Sequence, residues 1–249
     1  MKVTILGSGT GIPSAKRGSP GLVVEAGQRI LLFDSGPGAL RRLVEAGFKL
    51  EEVDYVFYSH FHPDHIADLV PLLFALKNPN LQRTKALRLA GPEGFLHLFG
   101  LLKNVYGQWM EPSGYELEIS ELAVGRHSYS EFELVAEQVN HTESSLAYRV
   151  EAEGQAVAYS GDSDYCQALV DLGSGVDLLI LECAFPDSSP CPGHLTPTRA
   201  GELAARAEPK KLLLTHFYPA CEGEDLTAAC QKVYPGEIVL ARDLMTICL

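Results

Sequence analysis

Two periods of apolar spacing alternate along this chain. Short aliphatic or β-branched runs closed by glycine or turn residues recur at 3–6, 22–25, 30–33, 55–58, 156–160, 178–182 and 211–215, and they predict strands. Between them, residues 39–46, 66–76, 94–105, 165–172, 197–207 and 225–233 carry apolar side chains at helical spacing. Residues 115–150 alternate apolar and polar positions with no helical stretch, as antiparallel strands with one wet face do. The pattern predicts an α/β fold, with helices laid outside mixed sheets. No repeat or low-complexity tract divides the chain. The most loop-like stretch, 186–193 (PDSSPCPG), is too short to separate domains and reads as a loop at the rim of a site.

Composition narrows the picture. With 249 residues, 46% hydrophobic and 21% charged, the chain has the make-up of a soluble globular protein, and one domain over 1–249 is expected. No apolar run approaches the ~20 residues of a membrane helix. The N-terminal stretch is too short in apolar residues for a secretory signal, so a cytoplasmic location is expected. A net charge of −12 disfavours sequence-independent wrapping of nucleic acid, although one local site can still be neutralised. The six cysteines all lie in the second half and none has Cys-x-x-Cys spacing, so they are expected to be unpaired thiols.

Candidate chemistry concentrates in Ser59-His60-Phe61-His62-Pro63-Asp64-His65. On an extended segment His60 and His62 point to one side, and Asp64 and His65, at the start of a helix, can reach back toward the same point. Imidazole and carboxylate suit zinc and equally manganese or iron. His141, Asp162 and His216 each close a strand-like run. Any one of them alone reads as readily as a structural hydrogen-bonding residue, but together with the first cluster they provide seven ligands. Two ions about 3.5–4 Å apart need about that number, with one bridging carboxylate. His97 and His127 have no such context. The Gly7-Ser8-Gly9-Thr10-Gly11 run lacks the apolar helix of a dinucleotide site and reads as a tight turn near the metal site. Asp34 is expected to organise its own Gly-rich turn.

In their order, His60-x-His62-x-Asp64-His65, His141, Asp162 and His216 resemble the metallo-β-lactamase superfamily. Within it the chain is similar to the ribonuclease Z group, through Gly7 to Pro13 with Arg17, Phe33-Asp34-Ser35-Gly36, Ala90-Gly91-Pro92, Leu181-Glu182 and Gly193-His194-Leu195-Thr196. The resemblance implies a four-layer αββα sandwich of two mixed sheets, with the site at one edge. It also implies that His60, His62 and His141 hold one divalent ion, that Asp64, His65 and His216 hold a second, and that Asp162 bridges them, zinc being the first choice of metal. Asp64 would orient or deprotonate the attacking water, and His194, oriented by Glu182, would act on the phosphoryl group or its leaving oxygen. A homodimer is common among the related enzymes.

One departure bears on substrate. Enzymes of that group that trim tRNA precursors carry a long arm between the third and fourth metal motifs, and here only 21 positions separate His141 from Asp162. The expected substrate is therefore a small phosphodiester, with RNA as the alternative. An arylsulfatase or another ester or thioester hydrolase is the competing activity on the same ligands. Trp109 and Tyr106 are candidate stacking surfaces for such a substrate, although aromatic residues in such segments are more often core.

Overall fold

The computed structural model describes residues 1–249. Its strands form two seven-stranded mixed sheets. The first takes β1 (Lys2–Gly7), β2 (Gly21–Ala26), β3 (Arg29–Phe33), β4 (Tyr55–Phe57), β5 (Leu87–Gly91) and β6 (Leu117–Glu121). The second takes β7 (Gly125–Ser128), β8 (Glu133–Gln138), β9 (Leu146–Ala152), β10 (Gln155–Tyr159), β11 (Leu178–Glu182), β12 (Lys211–Thr215) and β13 (Glu237–Leu240). The last strand, β14 (Thr246–Cys248), returns to pair antiparallel with β1. The two sheets follow one plan: antiparallel pairs come first, and β3 to β6 and β10 to β13 are then parallel. This structural duplication leaves no trace as a sequence repeat.

Period-2 alternation decides the layers. In β2, β3 and β4, Leu22, Val24, Leu31, Phe33, Tyr55 and Phe57 face the core shared by both sheets. The intervening Val23, Leu32 and Val56 face the helices α1 (Ala39–Glu45), α2 (Pro63–Ile66), α3 (Leu69–Leu76) and α4 (Phe95–Tyr106). Helices α5 (Gln167–Leu172), α6 (Pro197–Ala207) and α7 (Leu226–Gln231) cover the second sheet. Four layers result, αββα. Aromatic rings fill the middle: Phe33 stacks on Phe57 at 5.2 Å, and the Tyr148 hydroxyl donates to the Tyr58 carbonyl at 2.7 Å.

One helix departs from expectation. The segment 66–76 reads as continuous, yet it is divided between α2 and α3. The His65 carbonyl accepts the Ser35 amide at 2.7 Å and the Asp68 amide donates to the Ser35 carbonyl at 2.9 Å, so the loop after β3 replaces the helical ladder at that point. The break fixes α2 against residues 34–36. It also requires glycine at position 36, where a Cβ would fall 1.8 Å from the Asp64 carbonyl oxygen. Gly36→Ala must therefore push α2 away, and overpacking of this kind costs about 1–3 kcal/mol. A melting temperature lowered by roughly 2–4 °C per kcal/mol is expected in a thermal denaturation series, with secondary structure retained at room temperature.

Candidate metal centre

Parallel strands direct their following loops to one edge, and both sheets send theirs to the same one. His60 follows β4, His62 precedes α2, and Asp64 and His65 lie on α2. His141 follows β8, Asp162 follows β10, Glu182 ends β11 and His216 follows β12. Gly161, with a φ of +58°, lets that turn lie against Ser59, whose Cβ would sit 2.7 Å from a side chain placed at position 161.

All seven ligand-type side chains meet. Ligand atoms of His60, His62, His141 and Asp162 lie within 4.8 Å of one another, as do those of Asp64, His65 and His216. Asp162 faces both groups. Its Oδ2 is 3.8 Å from His60 Nε2 and from His141 Nε2, while its Oδ1 is 3.2 Å from His65 Nε2 and 3.4 Å from His216 Nε2. Asp64 Oδ2 closes the second group at 3.6 Å from His216 Nε2.

Hydrogen bonds on the far side of three of the rings set which nitrogen keeps its lone pair, while His216 Nδ1 is buried without a partner. The Ser59 hydroxyl donates its one proton to Asp34 at 2.8 Å, so His60 Nδ1–H donates to Ser59 Oγ at 3.0 Å and Nε2 is left bare. His65 Nδ1 donates to Asp34 at 2.8 Å and His141 Nδ1 to the Gly193 carbonyl at 2.9 Å, freeing both Nε2 atoms. His62 turns its Nδ1 toward His141 Nε2, 3.1 Å away.

The donor set fits a cation. His60 Nε2 and Asp162 Oδ1 are buried with no hydrogen-bond partner and aim into the cluster, an arrangement that costs ~1–3 kcal/mol per group unless something electrophilic binds. Charge tells the same story. Burial opposes ionisation of Asp162, but His216 and His65 outweigh it and hold its pKa well below the usual carboxylate range. Burial and the His65 ring push His60 well below the ordinary value. Burial works against charge on His65 too, yet Asp162 and Asp34 raise its pKa well above the ordinary value. A divalent ion on those lone pairs would take that proton's place.

Beside the cluster stands a second pair. His194 Nδ1 donates to Glu182 Oε1 at 2.8 Å, and its ring centroid lies 4.9 Å from that of His141. Glu182 also accepts the amides of Ser163, Ala184 and Leu195, at 2.7, 3.2 and 3.2 Å. Burial disfavours charge on His194, but Glu182 outweighs it and raises the pKa. The loop 186–193 is indeed a rim element, since Gly193 holds His141. The glycine turn after β1 also lies where expected, with Gly11 beside Asp64.

Asp34 differs from its expected role. Its carboxylate does not serve its own turn; it accepts from the Ser59 amide and hydroxyl, His65 Nδ1 and the Tyr159 hydroxyl. Sequence reasoning also missed Phe185 and Tyr218, which stack at 4.7 Å and flank His194. Only fold geometry brings these residues to the site. Asp34→Asn is expected to weaken metal binding about 10–100-fold, because it removes the acceptor that orients His65 and the anchor of Ser59. Ser59→Ala, which loses the hydroxyl that links His60 to Asp34 but leaves the Asp34–His65 contact in place, should weaken it less. Competition with a chromogenic chelator would measure both.

Comparison with known proteins agrees with the geometry. The family described as "Beta-lactamase superfamily domain" matches residues 29–217. A ribonuclease Z of Brevibacillus brevis is 28% identical over 99% of this chain and 96% of its own. The probable metallo-hydrolase YhfI of Bacillus subtilis is 29% identical over 97% of both chains, and its crystal structure superposes with a TM-score of 0.86, covering 99% of this chain and 98% of that one. Human tRNase Z, short form, 23% identical over 100% and 99% of the two chains, shares the fold with a TM-score of 0.82. A cluster of imidazoles and carboxylates built for a cation, at the strand ends of this particular four-layer fold, is what such a match leads one to find, and the chain belongs to the beta-lactamase superfamily of metal-dependent hydrolases.

Proposed function

We propose that the chain, acting as one hydrolase domain over 1–249, is a dinuclear metal-dependent phosphodiesterase of the ribonuclease Z type. Zinc is the first candidate metal, and manganese and iron suit the same donors. A cytoplasmic homodimer acting on small phosphodiesters belongs to the same reading. The observation that supports it is the Glu182–His194 pair, 2.8 Å apart, beside a donor cluster in which the Asp162 carboxylate faces His60 and His141 through one oxygen and His65 and His216 through the other.

Divalent ions held there would activate water and draw charge from the non-bridging oxygens of a phosphodiester. The residues of the chain do the rest. Asp64 Oδ2, at the mouth of the second group, can orient the attacking water and accept its proton. Glu182 fixes the His194 ring with Nδ1 engaged, so protonated Nε2 is the atom free to stabilise the phosphoryl oxygen or to protonate the leaving oxygen. Names of the relatives support RNA as a substrate class. Against efficient handling of tRNA, residues 142–161 form only the β9–β10 hairpin, closed by the tight turn Glu153-Gly154.

Chelation should abolish turnover of bis(p-nitrophenyl) phosphate, with recovery on adding back zinc or manganese. His194→Ala is expected to lower kcat about 10²–10⁴-fold with metal content unchanged by elemental analysis. In a panel with p-nitrophenyl sulfate, an acyl thioester and a tRNA precursor, kcat/KM should be highest for the small phosphodiester. Turnover of the thioester alone would sink the proposal.

A further inference from the structure

His194 faces two ways. One of its ring nitrogens lies within 4.8 Å of ligand atoms of Asp162 and His216, and the same residue lines a cavity of about 700 Å³ outside the cluster. Asp164, the loop 186–193 and the start of α6 supply the rest of that lining. One of the ten lining residues is hydrophobic, so an apolar group gains little by entering. No Phe, Tyr or Trp borders the cavity, which leaves a base nothing to stack on and a quaternary ammonium no aromatic face. Trp109 and Tyr106, the candidate stacking surfaces, line a separate apolar groove with Phe61 and Pro63.

Hydrogen-bonding capacity and charge then select what can bind. The first amides of α6 are occupied: Asp187 accepts the Thr198 amide at 3.1 Å and its hydroxyl at 2.7 Å, Thr196 Oγ1 accepts the Arg199 amide at 3.5 Å, and the Thr196 carbonyl accepts that of Ala200 at 2.8 Å. The helix start therefore offers no donor to a second anion, and the carboxylates of Asp164, Asp187 and Glu202 repel one. Arg199 in the same lining opposes a cation. Its guanidinium lies over the Tyr165 ring at 5.8 Å without a carboxylate partner, a stacked position that leaves its in-plane donors open. Glu202, one turn further along α6, supplies free acceptors beside it, and Asp164 spends only Oδ1, on the Tyr165 amide. A neutral group that both donates and accepts suits such walls, and the hydroxyl is the group that does both.

We propose that this cavity receives the leaving alcohol of the phosphodiester, and that Arg199 and Glu202 select an alcohol carrying further hydroxyls, such as glycerol or a sugar. The inference rests on the phosphodiesterase reading of the metal centre and names the substrate class of that site. In the step concerned, water oxygen bonds to phosphorus and the bond from phosphorus to the leaving oxygen breaks. Asp64 takes a proton from the water, and His194 Nε2 gives one to the leaving oxygen, which departs as the alcohol. Because His194 borders both the cluster and the cavity, the remainder of that alcohol lies among Asp164, Arg199 and Glu202.

Methyl phosphodiesters of glycerol, propanol, choline and phosphopropanol differ only in the leaving alcohol, and release of methyl phosphate by the metal-loaded intact chain can be followed by phosphorus NMR. For the glycerol ester kcat/KM should exceed that for the propanol ester at least about tenfold, and it should also exceed those for the choline and phosphopropanol esters. Arg199→Ala and Glu202→Gln should each bring the glycerol-to-propanol ratio toward one, through KM more than kcat, because the hydroxyl contacts are alike before and during bond breaking. A merely structural role would move both esters together and leave the ratio alone. Both side chains are exposed, and circular dichroism and metal content check that each variant is folded and loaded. Equal rates for the glycerol and propanol esters, with bis(p-nitrophenyl) phosphate still turned over, would overturn this proposal and leave the phosphodiesterase reading standing. Preference for the choline or phosphopropanol ester would do the same, as would a glycerol preference that survives both substitutions. Failure to turn over any phosphodiester would overturn both.

Discussion

Everything at this edge of the fold follows from one electrostatic constraint: lone pairs of five imidazoles and two carboxylates converge there, with His60, His65, Asp162 and His216 buried. Bare nitrogens and carboxylate oxygens do not attract one another, and buried without an electrophile they would each carry a desolvation cost. The fold overrides that repulsion by holding three of the rings from behind. Asp34 grips His65 and Ser59, Ser59 grips His60, and the Gly193 carbonyl grips His141. The rigidity of the site therefore resides in residues that would not themselves touch an ion.

The same constraint explains the departures from ideal secondary structure nearby. The α2–α3 break, the left-handed φ of +56° at Asp34 and that of +61° at His216 all lie within hydrogen-bonding or ligand distance of the cluster. Left-handed backbone at a non-glycine residue is sparsely populated, and at functional sites it persists because the surroundings over-determine it. Here the over-determination is visible. The Asp34 amide is tied to the Phe57 carbonyl while its side chain meets four donors, and the Phe217 amide after His216 donates to the Ser8 carbonyl.

How much of this the sequence discloses depends on distance along the chain. The stretch from His60 to His65 is legible because its geometry is local: an extended segment and one helical turn place four ligand-type groups together. The layers are legible because strand alternation is local as well. The role of Asp34 is not, since its partners lie 25, 31 and 125 residues away. The helix break after Ile66 is likewise invisible, because it is made by a carbonyl contact with Ser35 and not by a proline or glycine at the break. The short strands β13 and β14 take their pairing from partners at residues 211–214 and 2–4. Trp109 stays exposed because the turn bearing it ends α4 on the outer surface, a fact of packing that composition cannot carry.

The surroundings of the site also bear on the size of an anionic substrate. A polynucleotide is held by several cations free to meet successive phosphates. Near the cluster Arg17 is already engaged, its guanidinium donating to Ser8 Oγ and the Ala241 carbonyl and lying over the Phe217 ring at 4.5 Å. Lys16 is directed toward Glu222, 3.9 Å away. Arg199, which lines the same cavity as His194 and lies over the Tyr165 ring at 5.8 Å, is the neighbouring cation without a carboxylate partner. On the proposed reading, a small phosphodiester asks for few cations beyond the cluster, whereas a polynucleotide would ask for several more at the spacing of its phosphates.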